Sequence, residues 1–407
     1  MVRTVKILVL VMVFTTSSLS QANAAVKAGA SCKKLGQTVI QGKSSYKCVK
    51  SGKKLIWSTV KKITPSLTPT PSPTPTPSRT VAKVALPTSP ETEKIESLLG
   101  ELVSQTKLTK TAVELIVGPG DENQYLASIV QANIENSLQI AEALGLEFSR
   151  SYKVYVGDQQ WLIPFMPEGT WCASKEGGVP AGSNAGFCGM DSGVIFLNRT
   201  GFLFHQGTSR PIQRDFTQGE DRRIISISFA HEIFHAMQAE VSRKYTGSKG
   251  NFNQFWLNEG GANVASALVL SATEKIPYRE ARTWVSSYRN CMERPEQYKL
   301  MDFNVNNGKE GTCGPYFAGF FWSEYLIAQS GEIGALLNLA KASRSAFDVI
   351  VYDSNNLPRF EGDRLKVSLR EVYKIDIDQF VPKADEYFVK SSNELKAWAI
   401  ATGVFYK

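Results

Sequence analysis

Acidic residues are missing from the first 63 positions, histidine occurs three times in 407 residues, and no apolar run is long enough to cross a bilayer. Each absence narrows the reading. Residues 1–63 hold 12 of the 46 Lys and Arg, so residues 64–407 carry 34 basic against 38 acidic side chains. The net charge of +8 therefore belongs to the N-terminal segment. Nucleic-acid binding by the whole chain gains no support from it, although that segment can still be drawn to an anionic surface. A membrane-spanning helix needs ~20 apolar residues, and the charge-free run Ile7 to Phe14 is much shorter. No C-x-x-C pair occurs, which argues against a zinc ribbon. No G-x-S-x-G elbow occurs either, which argues against a serine nucleophile of that kind.

What is present begins with an export signal. Arg3 and Lys6 precede the apolar run, and Ala22-Asn23-Ala24 offers a small-x-small cleavage site. Residues 1–24 read as a signal peptide, and the mature chain as secreted or envelope-associated, with no transmembrane segment left after cleavage. Six cysteines, an even number, fit an oxidising compartment. Their order favours three local disulfides, Cys32–Cys48, Cys172–Cys188 and Cys291–Cys313, out of fifteen pairings that six cysteines allow.

Residues 25–63 form a small basic module with ten lysines. Glycines 29, 36, 42 and 52 punctuate short β-like runs at Thr38-Val39-Ile40 and Tyr46-Lys47-Cys48-Val49. A segment of this size cannot build an adequate core alone, so a disulfide staple is physically expected. An anionic cell-wall polymer is its expected partner. Residues 64–90 read as a linker, in which Thr64 to Pro77 alternate proline with small polar residues and should stay extended at ~3 Å per residue.

Residues 91–407 have a globular composition. Leu126, Ile129, Val130, Ile134, Leu138, Ile140, Ala141 and Leu144 predict a helix over 124–144. Lys153 to Val156 and Gly193 to Leu197 read as strands, with a Gly-rich loop carrying Cys172 and Cys188 between them. A further helix is expected from about Gln218 to Arg243, opened by a Thr217/Glu220 capping box. Beyond residue 259 the chain reads as mainly helical, interrupted by an Asn/Gly-rich loop over 303–314. The fold class is α+β: a small sheet lobe, a motif helix and a helical C-terminal lobe.

The motif helix carries His231-Glu232-Ile233-Phe234-His235. Histidines four residues apart share a helix face one turn apart, so both imidazoles can reach one metal ion. Zinc takes histidine nitrogens in a four-coordinate site. Glu232, beside the first ligand, is placed to act as a base toward water. Ile225, Ile227, Phe229, Phe234 and Met237 supply apolar surface to seat the helix. Twenty-four residues after His235 comes Trp256-Leu257-Asn258-Glu259-Gly260-Gly261-Ala262-Asn263. Asn258 reads as an N-cap, which puts Glu259 in the first turn of a new helix. Glu259 can complete a His₂Glu zinc site and leave the fourth position open. Asn263, one turn on, can accept a hydrogen bond from a ligating histidine. Gly260 and Gly261 should let this helix approach the motif helix closely.

Together these two motifs resemble the gluzincins, the thermolysin-like clan of zinc peptidases, and are closer to the aminopeptidase-N-like branch and its secreted relatives. The basic module similarly resembles a short module at the ends of secreted actinobacterial proteins. The clan resemblance implies a peptide or protein substrate, a β-strand edge above the metal helices and a Tyr or His that stabilises the oxyanion. Gly193 to Leu197 is placed like that edge strand. Tyr316 is the first candidate for the stabilising residue, followed by Tyr325 and His205. Gly189-Met190-Asp191-Ser192 stands near the position of the aminopeptidase Gly-x-Met-Glu-Asn motif but lacks its glutamate, which puts exopeptidase action in doubt.

The expected activity is hydrolysis of peptide bonds by a metal-activated water, with Glu232 as general base. Two other readings use the same residues: a non-catalytic binding protein on a peptidase scaffold, and a surface-binding protein whose function lies in the basic module.

Overall fold

A computed structural model describes residues 27–32, 38–41, 44–52, 54–59, 84–105, 113–170, 172–173, 184–189, 191–203, 219–246, 255–285, 289–303, 312–339, 350–352, 358–360 and 363–402. The expected signal peptide, most of the expected linker, Thr217 of the expected capping box and His205 lie outside them. The chain divides into two compact units, Met1–Thr80 and Val81–Lys407.

The first unit is an antiparallel meander of β1 (Thr38–Gln41), β2 (Ser44–Ser51) and β3 (Lys54–Thr59). Gly52 takes a φ of 61° at the tight turn from β2 to β3, a conformation that costs glycine little. Cys48 and Trp57 face each other across β2 and β3 and are both buried. Cys48 is bonded to Cys32. Among the described residues of this unit, the staple and the Trp57 indole supply the buried apolar surface.

The second unit opens with α1 (Pro90–Gln105). Ser89 and Thr92 cap it reciprocally: the Thr92 amide donates to Ser89 Oγ at 3.2 Å and the Ser89 amide to Thr92 Oγ1 at 2.9 Å. Then follow β4 (Val113–Val117), α2 (Asp121–Ala143), β5 (Tyr152–Gly157), the one-turn α3 (Gln159–Leu162), β6 (Ala185–Phe187), β7 (Val194–Asn198) and the one-turn α4 (Arg199–Phe202). The strands form a sheet in the order β4-β5-β7-β6. β4, β5 and β7 are parallel, and β6 returns antiparallel to β7. The parallel pairing follows from α2, which serves as the crossover between β4 and β5. Leu126, Ile129, Val130, Ile134 and Leu138 of α2 pack against Val154, Val156, Ile195 and Leu197 of the sheet. The strand expected at Gly193 to Leu197 is therefore internal. Among the described residues, β6 is the outer strand on that side.

Among the described residues the remainder is mainly helical: α5 (Gly219–Thr246), α6 (Phe255–Glu274), α7 (Tyr278–Val285), a π-helical turn (Thr312–Ala318) running into α8 (Gly319–Ser330), the one-turn α9 (Ala335–Asn338), α10 (Asp363–Ser368) and α11 (Ile377–Thr402), with one hairpin of β8 (Ile350–Tyr352) and β9 (Pro358–Phe360) between α9 and α10. No helix of the described residues is long and apolar enough to cross a membrane.

The motif helix α5 lies between two cores. Ile225, Phe229, Ile233 and Ala236 join the cluster of α2 and the sheet. Ala230, Phe234, Met237 and Val241 join the helical cluster formed with α6, α8 and α11. A helix apolar on two faces is a buried one, and the stripe left over carries His231 and His235.

Gly260 meets α8 and not α5, contrary to the expectation from sequence. A Cβ on Gly260 would lie 2.0 Å from the backbone carbon of Gly319, and a Cβ on Gly319 would lie 2.5 Å from the Trp256 carbonyl oxygen. Backbone cannot yield as a flexible side chain can, so α6 and α8 must separate to admit a methyl group. Gly260→Ala is expected to lower stability by about 1–3 kcal/mol or more in denaturant melts of the metal-free chain, with Gly261→Ala much milder. A Gly260→Ala chain as stable as the parent would contradict this helix contact.

Three disulfides are present, Cys32–Cys48, Cys172–Cys188 and Cys291–Cys313, with Cα–Cα distances of 5.9, 5.5 and 5.0 Å. Their presence accords with an oxidising compartment. Cys188 follows directly on β6, so the second disulfide holds that strand's end. Cys313 belongs to the π-helical turn, so the third holds the segment that leads into α8.

Candidate metal centre

α5 and α6 pack side by side, and the side chains of His231, His235 and Glu259 meet in their seam. The Nε2 atoms of His231 and His235 are 3.0 Å apart. Glu259 Oε2 is 3.3 Å from His231 Nε2 and 3.5 Å from His235 Nε2. Among the described residues these three form the group able to hold a metal ion. A tetrahedral zinc ion with bonds of ~2.0–2.1 Å sets its ligand atoms about 3.3 Å apart, so the three separations match the donor set of such an ion. His231 and Glu259 are 9% and 8% exposed, which leaves little water to compete for the donors.

Glu259 sits in the second turn of α6, not the first. The helix starts at Phe255, and Asn258 lies inside it. The reason is burial: Trp256 and Leu257 are fully buried in the helical core, and their packing extends the helix back past the residue with the best capping chemistry. Asn258 has a different task. Its side-chain amide donates to Glu259 Oε1 at 3.1 Å, leaving Oε2 for the histidines.

Charge in the seam is strongly coupled. Burial disfavours a charge on His235, yet the Glu259 carboxylate outweighs it, with help from the Glu232 charge and a hydrogen bond to Gln238, and the imidazole is pushed up to about 9. Burial likewise opposes the charge on Glu259, but His235 and hydrogen bonds from both histidines hold its carboxyl well below the usual range. A proton on His235 and a metal ion compete for the same nitrogen. Zinc affinity should therefore rise about tenfold per pH unit through the neutral range and level off above about pH 9. Competition with a chromophoric chelator between pH 6 and 8 measures the slope, and a flat profile would contradict it.

The supporting residues are placed as follows. Asn263 Oδ1 lies 2.9 Å from His231 Nδ1, and its amide nitrogen donates to the Tyr316 carbonyl at 3.0 Å. The half-buried Tyr316 ring stacks beside His231, with centroids 5.9 Å apart and planes 16° apart. Tyr325 is not in the seam: it packs against Phe380 and Tyr387 of α11 in the helical core. Gly189, Asp191 and Ser192 lie between β6 and β7, where Ser192 Oγ donates to the Gly189 carbonyl at 3.0 Å; Met190 lies outside the described residues.

Two contacts escaped the sequence reading. The Phe187 amide of β6 donates to Glu232 Oε2 at 2.8 Å, so the outer strand touches the expected base. Gln238 is fully buried and meets His235 Nδ1 at 2.8 Å. Its spacing of three from His235 was a readable signal, since it continues the histidine face. A backbone amide such as that of Phe187 leaves no such mark.

No protein family, no curated protein and no solved structure matches the chain, so the functional reading rests on this geometry.

Proposed function

We propose that the chain is a zinc-dependent peptidase of gluzincin type, acting outside the cytoplasm on peptide or protein substrates. One observation carries the reading: His231, His235 and Glu259 converge from two packed helices at 3.0–3.5 Å, with Glu232 of the same motif facing the outer strand of the sheet. Two imidazoles and one carboxylate leave a four-coordinate ion one open position, the arrangement of catalytic zinc sites.

Bound zinc would supply Lewis acidity toward water and toward the scissile carbonyl. The chain supplies the rest. Glu232 takes a proton from the attacking water and returns it to the departing amine. The Phe187 amide holds one Glu232 oxygen, which leaves the other to receive that proton. Tyr316, beside His231, is the candidate donor to the developing oxyanion. Asn258 and Asn263 hold Glu259 and His231 in place. The lysines of residues 25–63 give the mature protein a means of attachment to an anionic cell-wall polymer.

The test is metal analysis of the mature chain together with cleavage of a mixed peptide substrate, with and without a chelator. The proposal expects about one zinc per chain, cleavage abolished by the chelator, and recovery on adding zinc. Bound zinc with no cleavage of any peptide would favour the non-catalytic binding protein. Cleavage indifferent to the chelator would refute the proposal outright.

A further inference from the structure

We infer that Gln238 is the positioning residue for His235 and, through the same side chain, the tie between the two metal-holding helices; this rests on the metal-centre reading above. The Gln238 carboxamide is fully buried and used at both ends. Its nitrogen donates to the Asn258 carbonyl at 3.1 Å and to the Leu257 carbonyl at 3.4 Å, both on α6. Its oxygen lies 2.8 Å from His235 Nδ1 on α5.

The orientation of this amide follows from its partners. Carbonyl oxygens only accept, so the NH₂ end must face α6, and the opposite orientation would set oxygen against two carbonyls without a proton between them. The oxygen must then face His235, which must donate from Nδ1. A histidine that carries its proton on Nδ1 presents the Nε2 lone pair to a metal ion. The backbone of the helix that carries Glu259 thereby determines which nitrogen His235 offers.

Asn263 does the same for His231, with the Tyr316 carbonyl as its anchor. Each histidine is thus read by an amide that is itself read by a backbone carbonyl. The two relays differ in what they join. Asn263 connects α6 to the π-helical turn, whereas Gln238 joins the helix of the histidines to the residues immediately before the third ligand. Gln238 should therefore influence both the nitrogen that is offered and the distance between His235 and Glu259.

Three readings on the mature full chain test this. Zinc affinity by chelator competition should fall 10–100-fold in Gln238→Leu, with metal-free melting used to confirm that the variant is folded. Gln238→Glu keeps an acceptor for His235 Nδ1 and loses the donor toward α6. It should hold zinc more tightly than Gln238→Leu and less tightly than the parent, since the acceptor for His235 stays and the tie to α6 is lost, and its metal-free form should melt earlier. Nitrogen-15 NMR of the zinc-loaded parent should find His235 bound through Nε2 with the proton on Nδ1, a result that needs no variant. A folded Gln238→Leu chain that binds zinc as tightly as the parent would overturn the inference, as would a Gln238→Glu chain that falls as far as Gln238→Leu, or zinc on His235 Nδ1. A parent chain that binds no zinc would instead sink the metal-centre reading.

Discussion

Glu232→Gln should bind zinc as tightly as the parent, fold as stably and hydrolyse peptide at least ~100-fold more slowly. Glu259→Ala should lose zinc affinity itself. Both carboxylates act on His235 through their charge, but they differ in what they touch. Glu232 is adjacent in sequence to a ligand, and one of its oxygens accepts from the Phe187 amide. The isosteric amide removes the proton acceptor and little else. Glu259 turns Oε2 to both imidazoles at 3.3 and 3.5 Å. Its removal takes away the anionic ligand and leaves two neutral nitrogens, which hold zinc much less firmly. Chelator competition separates the variants on affinity and a saturating-zinc assay separates them on rate. Full activity in Glu232→Gln, or parental zinc affinity in Glu259→Ala, would contradict the roles assigned to them.

A second large effect is expected away from the metal. Glu324 on α8 and Arg282 on α7 form a buried pair, with the guanidinium donating from Nε at 2.9 Å and from a terminal nitrogen at 2.6 Å. The Tyr278 and Tyr387 hydroxyls donate to the same carboxylate at 2.8 and 3.0 Å, so three helices converge on Glu324, whose exposure is zero. Breaking a buried pair by removing one partner leaves a charge without compensation and costs about 3–5 kcal/mol. Glu324→Ala should lose that much in denaturant melts. Replacing both members by apolar residues, as in Arg282→Met with Glu324→Leu, should recover part of it: no buried charge is then left unpaired, but the Tyr278 and Tyr387 hydroxyls lose the carboxylate they donate to. A loss within 1 kcal/mol for Glu324→Ala would show that the pair is not buried in solution.

The group able to hold a metal ion was legible because its chemistry is local: a spacing of four on a helix, and a glutamate after Trp256-Leu257-Asn258. The disulfide pairing was legible because each bond closes a short stretch of chain. The long apolar helix α2 was legible from its periodicity. What escaped was set by tertiary packing. Asn258 looked like a cap because its side chain suits one, but burial of Trp256 and Leu257 moved the helix start to Phe255. Gly260 and Gly261 looked equivalent, yet only Gly260 meets a backbone, that of α8. β6 is three residues long, too short for any alternation to register, and it displaced β7 from the edge. The Arg282–Glu324 pair joins residues 42 apart, a separation at which charge pattern carries no signal.

Zinc K-edge anomalous diffraction from crystals of the chain grown with zinc locates the ion. One strong peak is expected in the seam of α5 and α6, within ~2.0–2.2 Å of His231 Nε2, His235 Nε2 and a Glu259 carboxylate oxygen, with no fourth protein ligand. A peak elsewhere, or one bound by the two histidines with Glu259 turned away, would contradict it.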